Sequence, residues 1–422
     1  DFAYRWDVND QDTGADSPLG YWTDCYKAIA VANQALVSIA AMGENAENQA
    51  AKGEALLIRA YNHFMLVNLW AKHYHQQTAA QDPGVPYVTE PEEEPFKKYT
   101  RNSVQEVYDA IERDMLEGLA LVGRDYISPK YRFTPEAGKA FATRFYLSRA
   151  NEGDWEKVIA YANELLFNPS KQLRDWSGAY AQTSSSALEI LYPGPDESAN
   201  ILIAAGPSYY NRIIGGSPGR FCLSSDLAKQ LFVKNNLFGL TWAYNYFQYE
   251  IGGNQFIPKF NENFVYSNRA AGIGNGYLQF PLLTYDEVFL NRIEAYVMLN
   301  RLEEARLDLD VYFSKKLLGY NANTMPVTDQ LVQHFYKTAP NELHPNYSLT
   351  VNQEAYVKCA AELRRREFIH EGIRWFDIKR LGLTIKHPLV SEDTLVLAKE
   401  DLKRVMQIPK AAQASGLVPN IR

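Results

Sequence analysis

A charged segment near the C-terminus, residues 364–380, holds the densest set of side chains that could do chemistry. It combines seven basic residues, three acids and several large apolar groups. His370 and Glu371 resemble the first half of a zinc-protease motif, but Arg374 stands where the second histidine ligand would be. The spacing of Glu367 and Glu371 places both carboxylates on one helix face. Because apolar residues alternate with the charges, we interpret the segment as a packed helix end held by paired charges rather than as a catalytic site.

Other patterns that resemble catalytic or metal sites are also incomplete. His73 and His75 have the spacing of a ligand pair on a strand, but no further Cys or His lies near them, so we expect surface histidines. The glycines at 272, 274 and 276 lack the dinucleotide-binding spacing. No phosphate-binding loop or nucleophile-elbow motif occurs. We therefore expect a binding protein without cofactor or metal, and not an enzyme. A glycosidase stays an alternative, because the separation of its two carboxylates is a distance in the folded protein and leaves no pattern in the sequence.

The composition excludes several classes of protein. The 422 residues, 46% of them hydrophobic, suffice for one large core or two domains, and the net charge of −7 argues against a nucleic-acid partner. No uninterrupted apolar run approaches the roughly 20 residues of a membrane helix. Cys25, Cys222 and Cys359 are too scattered for a disulfide framework or a zinc site, so we expect buried cysteines. The 28 tyrosines suit a protein that stacks on sugars or peptides.

Apolar residues at spacings of three and four predict a mainly α fold. Asn102 or Ser103, followed by Glu106, is typical of a helix start. The turns before Asp154 and Glu303 resemble those of tetratricopeptide helix pairs, which indicates a repeat-like scaffold over about 21–166 and 283–380. The predicted helices cover approximately 21–42, 48–70, 103–121, 134–150, 154–166, 285–299 and 303–313.

Two regions lack helical periodicity over most of their length. Residues 169–281 are rich in Gly, Ser, Pro, Asn and Tyr, and predict long irregular loops with a few short strands and one helix at 224–234. Trp242, Tyr244 and Tyr246 alternate as in a short strand. Residues 319–349 form the second irregular region. Because long loops in compact domains are usually functional, we predict that 169–281 is a ligand-binding insert.

Seven motifs follow one another along nearly the whole chain. They are Trp22 to Leu36, Glu54 to Phe64, Gly84 to Val88, Thr134 to Leu166, Leu283 to Tyr296, Arg364 to Arg380 and Met406 to Lys410. In this order they resemble the SusD/RagB family, the surface lipoproteins of Bacteroidetes nutrient-uptake systems.

The resemblance implies a single SusD-like domain over residues 1–422 and a function in nutrient uptake. Proteins of this family bind an oligosaccharide or polysaccharide at the cell surface and deliver it to a SusC-like TonB-dependent transporter in the outer membrane, without catalysis. They are held there by a lipid anchor on an N-terminal cysteine. That anchor is not present in this chain, whose first residue is Asp1, so we expect a processed or trimmed chain.

The resemblance also implies where ligand binds, since the family places binding aromatics before the first helix and in the long central loop. The first group of candidates is Tyr4, Trp6, Asp7 and Asn9, and the second is Tyr209, Tyr210, Asn211, Arg212, Arg220 and Phe221. We expect Trp6→Ala or Tyr210→Ala to weaken oligosaccharide binding with little change in melting temperature. Trp242, Tyr244 and Tyr246 are a weaker third choice.

Three alternatives remain open from the sequence. The same transporter lid could carry peptide, which oligopeptide binding without glycan binding would show. A helical-toroid glycoside hydrolase would turn over a glycan and lose activity with one carboxylate. A tetratricopeptide scaffold that binds only protein would bind no small ligand.

Overall fold

A computed structural model describes residues 2–92, 97–215, 223–244, 249–251, 254–389 and 392–422. Its helices are α1 (Phe2–Arg5), α2 (Pro18–Met42), α3 (Gln49–Trp70), α4 (Val104–Leu121), α5 (Pro135–Arg149), α6 (Asp154–Leu165), α7 (Pro169–Gln172), α8 (Ser185–Leu191), α9 (Tyr210–Gly215), α10 (Ser225–Phe232), α11 (Tyr285–Met298), α12 (Leu302–Lys316), α13 (Asp329–Phe335), α14 (Val351–Glu367), α15 (Arg374–Arg380) and α16 (Lys410–Ala414). Its strands are β1 (Asn200–Pro207), β2 (Leu223–Ser224), β3 (Tyr249–Ile251), β4 (Asn254–Phe256), β5 (Asn263–Asn268), β6 (Ile273–Thr284), β7 (Ile385–Leu389) and β8 (Glu392–Leu397).

The chain divides into two compact units. Unit 1 comprises residues 1–149, 344–346 and 378–422, and unit 2 comprises residues 150–343 and 347–377. Both are mainly helical, as predicted. Whether the whole chain folds as one domain stays a prediction.

Unit 1 is built on α2, α3 and α4. Ser17 caps α2 through its hydroxyl, and Ser103 caps α4 in a complete capping box with Glu106. Helix α3 turns most of its side chains inward, including Leu57 and Phe64, which are fully buried. The antiparallel pair β7–β8 completes this unit.

Helix α2 is long and apolar enough to cross a membrane by length and composition, and it is the one such helix in the described ranges. The helix predicted at 21–42 is confirmed as α2. Its membrane-like composition was not expected from the sequence, because polar residues such as Asp24 and Lys27 interrupt its apolar runs. Trp22, Cys25 and Ile29 of α2 are buried inside the unit. A core helix meets the same criteria, so this helix is weak support for a membrane span.

Unit 2 surrounds α11, which is buried along almost its whole length and packs with α6, α12 and α14. Thr284 ends β6 and caps α11 by accepting a hydrogen bond from the Glu287 amide. Strands β1, β6 and β5 form an antiparallel sheet in that order, and β2, β4 and β3 form a second one. The helices at 285–299 and 303–313 are confirmed as α11 and α12.

The irregular regions contain more regular structure than the sequence predicted. Strand β6 is 12 residues long, and α13 lies inside the region predicted to be irregular at 319–349. Trp242 makes only an isolated bridge with Leu317 instead of a predicted strand, and Tyr246 lies outside the described residues. Cys25 and Cys359 are buried and unpaired, as expected, while Cys222 lies outside the described residues.

Candidate functional site

The first group of candidate residues lies in unit 1, where the aromatic rings are already stacked. The His387 ring of β7 is stacked on Tyr4 at 4.4 Å and on Trp6 at 4.2 Å between ring centroids. Its Nδ1–H donates to the Tyr4 carbonyl at 2.8 Å, and the Tyr4 hydroxyl donates to the Pro388 carbonyl at 2.7 Å. One face of each aromatic ring is therefore occupied by His387, and only the remaining surface is open to a ligand.

Backbone and charge contacts anchor the same N-terminal segment. Trp6 has a positive φ of 53°, and its carbonyl accepts a hydrogen bond from the Arg422 guanidinium at 2.7 Å. Asp7 is exposed and lies 3.7 Å from Lys403, whereas Asn9 is half-buried. These contacts hold the segment in place, and its role as a ligand site stays a prediction.

The second group lies in unit 2, at the start of α9 and beside the β1–β6–β5 sheet. The Tyr209 hydroxyl donates to Asn275 Oδ1 at 3.2 Å. The Arg212 guanidinium lies 4.8 Å from the centre of the Tyr209 ring and makes a bidentate ion pair with Glu262, with Nε–Oε2 at 2.6 Å. Tyr209, Arg212 and Glu262 thus form one half-exposed group in which an aromatic ring, a guanidinium and a carboxylate are close together.

The adjacent candidates differ in what they contact. Tyr210 packs against the buried cluster of Ile214, Phe260 and Leu278, with its ring centroid 6.1 Å from that of Phe260. Asn211 is half-buried. Arg220 and Phe221 lie outside the described residues. The geometry therefore favours Tyr209 over Tyr210 as a ligand contact, because the ring of Tyr210 is committed to core packing.

A pocket of about 470 Å³ lies in unit 2 between α8, the turn that follows it and the sheet. It is lined by carboxylates and amides, which can accept hydrogen bonds from the hydroxyls of a sugar, and the amides can also donate to them. Burial raises the pKa of Glu189 in its wall. The sequence did not indicate this pocket, because its walls come from three separate segments. The polar side chains are Glu189, Asp196, Asn261, Asn263 and Gln279.

Two of the third-choice aromatic residues lie in the core. Trp242 and Tyr244 are fully buried. The Trp242 Nε1–H donates to the Asn235 carbonyl at 3.1 Å, and the Tyr244 hydroxyl donates to Glu367. Both residues are core residues of unit 2 and cannot stack on a surface ligand.

The charged segment at 364–380 contributes to a buried ionic network in unit 2, which confirms its structural interpretation. Helix α14 ends at Glu367, so the prediction that Glu371 shares a helix face with Glu367 is wrong, and Glu371 lies in the bend that follows. Glu367 Oε2 lies 2.8 Å from Lys316, which also contacts Asp286 at 2.7 Å. Glu371 Oε1 lies 2.7 Å from Lys259 and accepts from the Tyr192 hydroxyl at 2.6 Å. Burial alone would raise the pKa of Glu367, but Lys316 and Lys259 overcome that effect and lower it to about 2. The carboxylate is thus held ionised by its partners.

His370 and His75 make hydrogen bonds with backbone amides. His370 Nε2 accepts a hydrogen bond from the Ile257 amide at 3.3 Å, and burial lowers the pKa of His370 to about 3. His73 and His75, which we expected at the surface, are both half-buried. Burial lowers the pKa of His73 to about 3, and His75 Nδ1 accepts from the Gln77 amide at 3.1 Å. Within the described ranges, no group of three or more His, Cys, Asp or Glu side chains could hold a metal ion.

The fold defined by these helix pairs is shared with known proteins. A family model described as "SusD-like_3: Starch-binding associating with outer membrane" matches residues 2–147. The structure of a SusD superfamily protein from Bacteroides thetaiotaomicron VPI-5482 superposes with a TM-score of 0.74 at 18% identity, covering 100% of this chain and 89% of the other. No functionally curated protein matches.

Two further structures are similar over almost the entire chain. A putative sugar binding protein from Bacteroides vulgatus ATCC 8482 has a TM-score of 0.71 at 17% identity and covers 99% of this chain and 88% of its own. A laminarin binding SusD-like protein has a TM-score of 0.59 at 18% identity, and the match covers 98% of this chain and 87% of the other. The class is therefore a mainly α scaffold of the SusD type. The match over residues 2–147 and the shared fold agree with the resemblance that the motifs indicated.

Proposed function

We propose that the protein binds a glycan at the cell surface and delivers it to a SusC-like TonB-dependent transporter of the outer membrane, without catalysing a reaction. The observation that carries the proposal is the match of residues 2–147 to a family described as starch-binding and associating with the outer membrane. The fold shared with a sugar binding and a laminarin binding protein supports it. Attachment to the membrane through a lipid anchor belongs to the same proposal.

The geometry of unit 2 supplies groups that suit a neutral sugar. The Tyr209 ring offers an apolar surface for the C–H groups of a pyranose, while Arg212 and Glu262 lie within reach of its hydroxyls. The pocket beside the sheet adds amide and carboxylate groups of the kind that bind hydroxyls. Binding of this type needs no covalent step.

A binding screen tests the function directly. The whole chain is titrated by calorimetry with soluble starch, laminarin and other glycans, and with acidic and basic oligopeptides. We expect heat from at least one glycan, none from the peptides, and no new reducing ends after long incubation. Peptide binding without glycan binding would show that the cargo is peptide and not glycan. Product formation that disappears on mutating one carboxylate would indicate a hydrolase.

Delivery to a transporter is tested separately. The protein is co-expressed with a SusC-like TonB-dependent transporter from its source organism, and the outer membrane is solubilised in mild detergent. We expect the two proteins to co-purify in a fixed ratio and glycan uptake by cells to require both. Uptake that is unchanged without this protein would contradict the delivery step while leaving glycan binding in place.

Replacing Tyr209 tests the candidate site. Tyr209→Ala removes the stacking surface, and we expect glycan affinity to fall about tenfold, the effect of roughly 1.4 kcal/mol. The matched control is Phe167→Ala, which removes an exposed aromatic ring elsewhere in unit 2. Equal affinities of both variants and the unaltered protein, measured by calorimetry, would exclude Tyr209 from the site.

A further inference from the structure

The β5–β6 hairpin presents two adjacent aromatic side chains to solvent. Phe264 and Tyr266 are two residues apart on β5 and therefore lie on the same face of the sheet. Their ring centroids are 4.9 Å apart with planes at 74°, and they are 40% and 49% exposed. All of β5 is exposed, so the unit's core covers neither of its faces. Two large rings left in water forgo burial energy, which points to a use at the surface.

Glycines occupy the positions opposite both rings. Gly276 pairs with Phe264, and Gly274 pairs with Tyr266. A Cβ atom on Gly274 would come within 2.8 Å of Phe264 Cε1, so the Phe264 ring occupies the space that a side chain would take. The missing side chain at Gly274 lets the aromatic pair lie close to the backbone, while the Glu262 side chain occupies the corresponding space at Gly276.

The turn beside the rings is held by its own hydrogen bonds. Asn268 Oδ1 accepts from the Ala271 amide at 3.1 Å, and the Ser267 hydroxyl donates to the Ile273 carbonyl at 3.2 Å. Gly272 has a φ of +67°, a conformation that favours glycine. A hairpin ordered in advance loses less conformational entropy when a ligand binds to it.

A guanidinium lies next to the aromatic pair. The Arg269 guanidinium carbon is 5.8 Å from the centroid of the Tyr266 ring. Within the described part of the chain, no carboxylate forms an ion pair with Arg269, so its N–H donors can serve a ligand. Two aromatic rings with a neighbouring donor fit a pyranose, whose C–H face packs on a ring while its hydroxyls accept hydrogen bonds.

We infer that Phe264, Tyr266 and Arg269 form a carbohydrate-binding platform that holds one sugar unit of the glycan. The inference rests on the proposed glycan-binding function and gives it a site beyond the candidates indicated by the family. Pairing of a peptide with the edge of β5 fits less well, because a register shift between Tyr266 and Asn268 interrupts the regular edge.

Single and double substitutions test the platform. Phe264→Ala, Tyr266→Ala and the double variant are titrated by calorimetry with the glycans that the unaltered protein binds, starting from laminarin and soluble starch. We expect each single variant to lose about tenfold in affinity and the double variant more. Tyr266→Trp keeps an aromatic face and should retain binding within about threefold. Val265→Ala is the control, because Val265 lies on the same strand, is 52% exposed and points to the opposite face.

The outcomes separate the platform from the function as a whole. If the unaltered protein binds glycan and the double variant binds it with equal affinity, the platform is overturned and the proposed function is not. Unaltered protein that binds no glycan overturns the proposed function and the platform with it. Loss of binding in Val265→Ala to the same extent, or a lowered melting temperature in every variant, would show a folding effect of the hairpin and overturn the assignment. A change from dimer to monomer on size exclusion would assign the rings to contact with a second copy instead.

Discussion

At the scale of single residues, the clearest result concerns Glu367. Its two oxygens accept hydrogen bonds from Trp176, Tyr244 and Tyr312 in addition to the contact with Lys316. Such a buried ionised group is stable only while its partners remain. The residue type alone suggested chemistry, whereas its surroundings show that it is part of the core.

Removing this charge should be costly. Glu367→Gln keeps the shape but leaves Lys316 without one of its carboxylates, so we expect the free energy of unfolding to fall by about 3 kcal/mol. Glu304→Gln in the exposed Arg301–Glu304 pair is the control and should cost less than about 1 kcal/mol. Urea denaturation gives both values, and equal losses would contradict the network.

The same comparison checks the effect of pH. The pKa of Glu367 is lowered to about 2 in the folded protein, below the value of about 4.3 in an unfolded chain. Its carboxylate therefore stabilises the fold fully above about pH 4.3, and this stabilisation is lost as the pH falls towards the folded pKa. The difference between the unaltered protein and Glu367→Gln should be largest near neutral pH and shrink in acid. A difference that grows in acid would contradict the assigned charge state.

At the scale of elements, the packing of α3 on α4 depends on a close approach of two backbones. A Cβ atom on Gly53 of α3 would lie 2.3 Å from the Val122 nitrogen, just after the end of α4. Gly118 of α4 faces the same contact, where a Cβ atom would lie 2.9 Å from the Gly53 carbonyl oxygen. Both glycines allow the helices to touch where larger residues would separate them.

A single methyl group should therefore disturb this pair. Alanine normally stabilises a helix interior by about 1 kcal/mol relative to glycine, but Gly53→Ala must push α4 away, so we expect a loss of roughly 1–3 kcal/mol. Ala51→Gly, at an exposed position of the same helix, measures how much the difference in helix propensity alone changes the free energy of unfolding. Thermal and urea unfolding give the stability of both variants. A Gly53→Ala variant more stable than the unaltered protein would show that the contact between α3 and α4 can relax.

The helices were largely predictable because their signals are local. Caps such as Ser103 with Glu106, and spacings of three and four, lie within one element. Helix α13 was missed because it is only seven residues long. Strand β6 was missed because its interior contains Gly274 and Gly276, which weaken strand propensity and here face the aromatic rings of β5.

At the scale of the whole molecule, the net charge of −7 should affect a neutral glycan and a basic peptide differently. Stacking and hydrogen bonding to a neutral sugar involve no long-range charge attraction, whereas basic peptides would be attracted by the acidic surface. The fold alone is compatible with either cargo.

Salt dependence measures this difference. We expect the affinity for a neutral oligosaccharide to change less than about twofold when the salt concentration rises tenfold, since screening acts only on charges. A basic oligopeptide is the control ligand, and any binding it shows should weaken steeply. Calorimetry at low and high salt gives both, and glycan binding that collapses with salt would contradict recognition by stacking and neutral hydrogen bonds.

The amino-acid sequence by itself indicated the resemblance to the SusD/RagB family, the mainly α class and most helices, because motifs, caps and periodicity are properties of neighbouring residues. It also identified Tyr4, Trp6, Tyr209 and Arg212 as candidates, which remain to be tested. Only the tertiary structure decided what their side chains contact. Tyr4 and Trp6 stack on His387, more than 380 residues away, and Phe264 and Tyr266 lie opposite two glycines of the next strand. Ring stacking and burial depend on distances between remote segments, and residue spacing along the chain does not contain those distances.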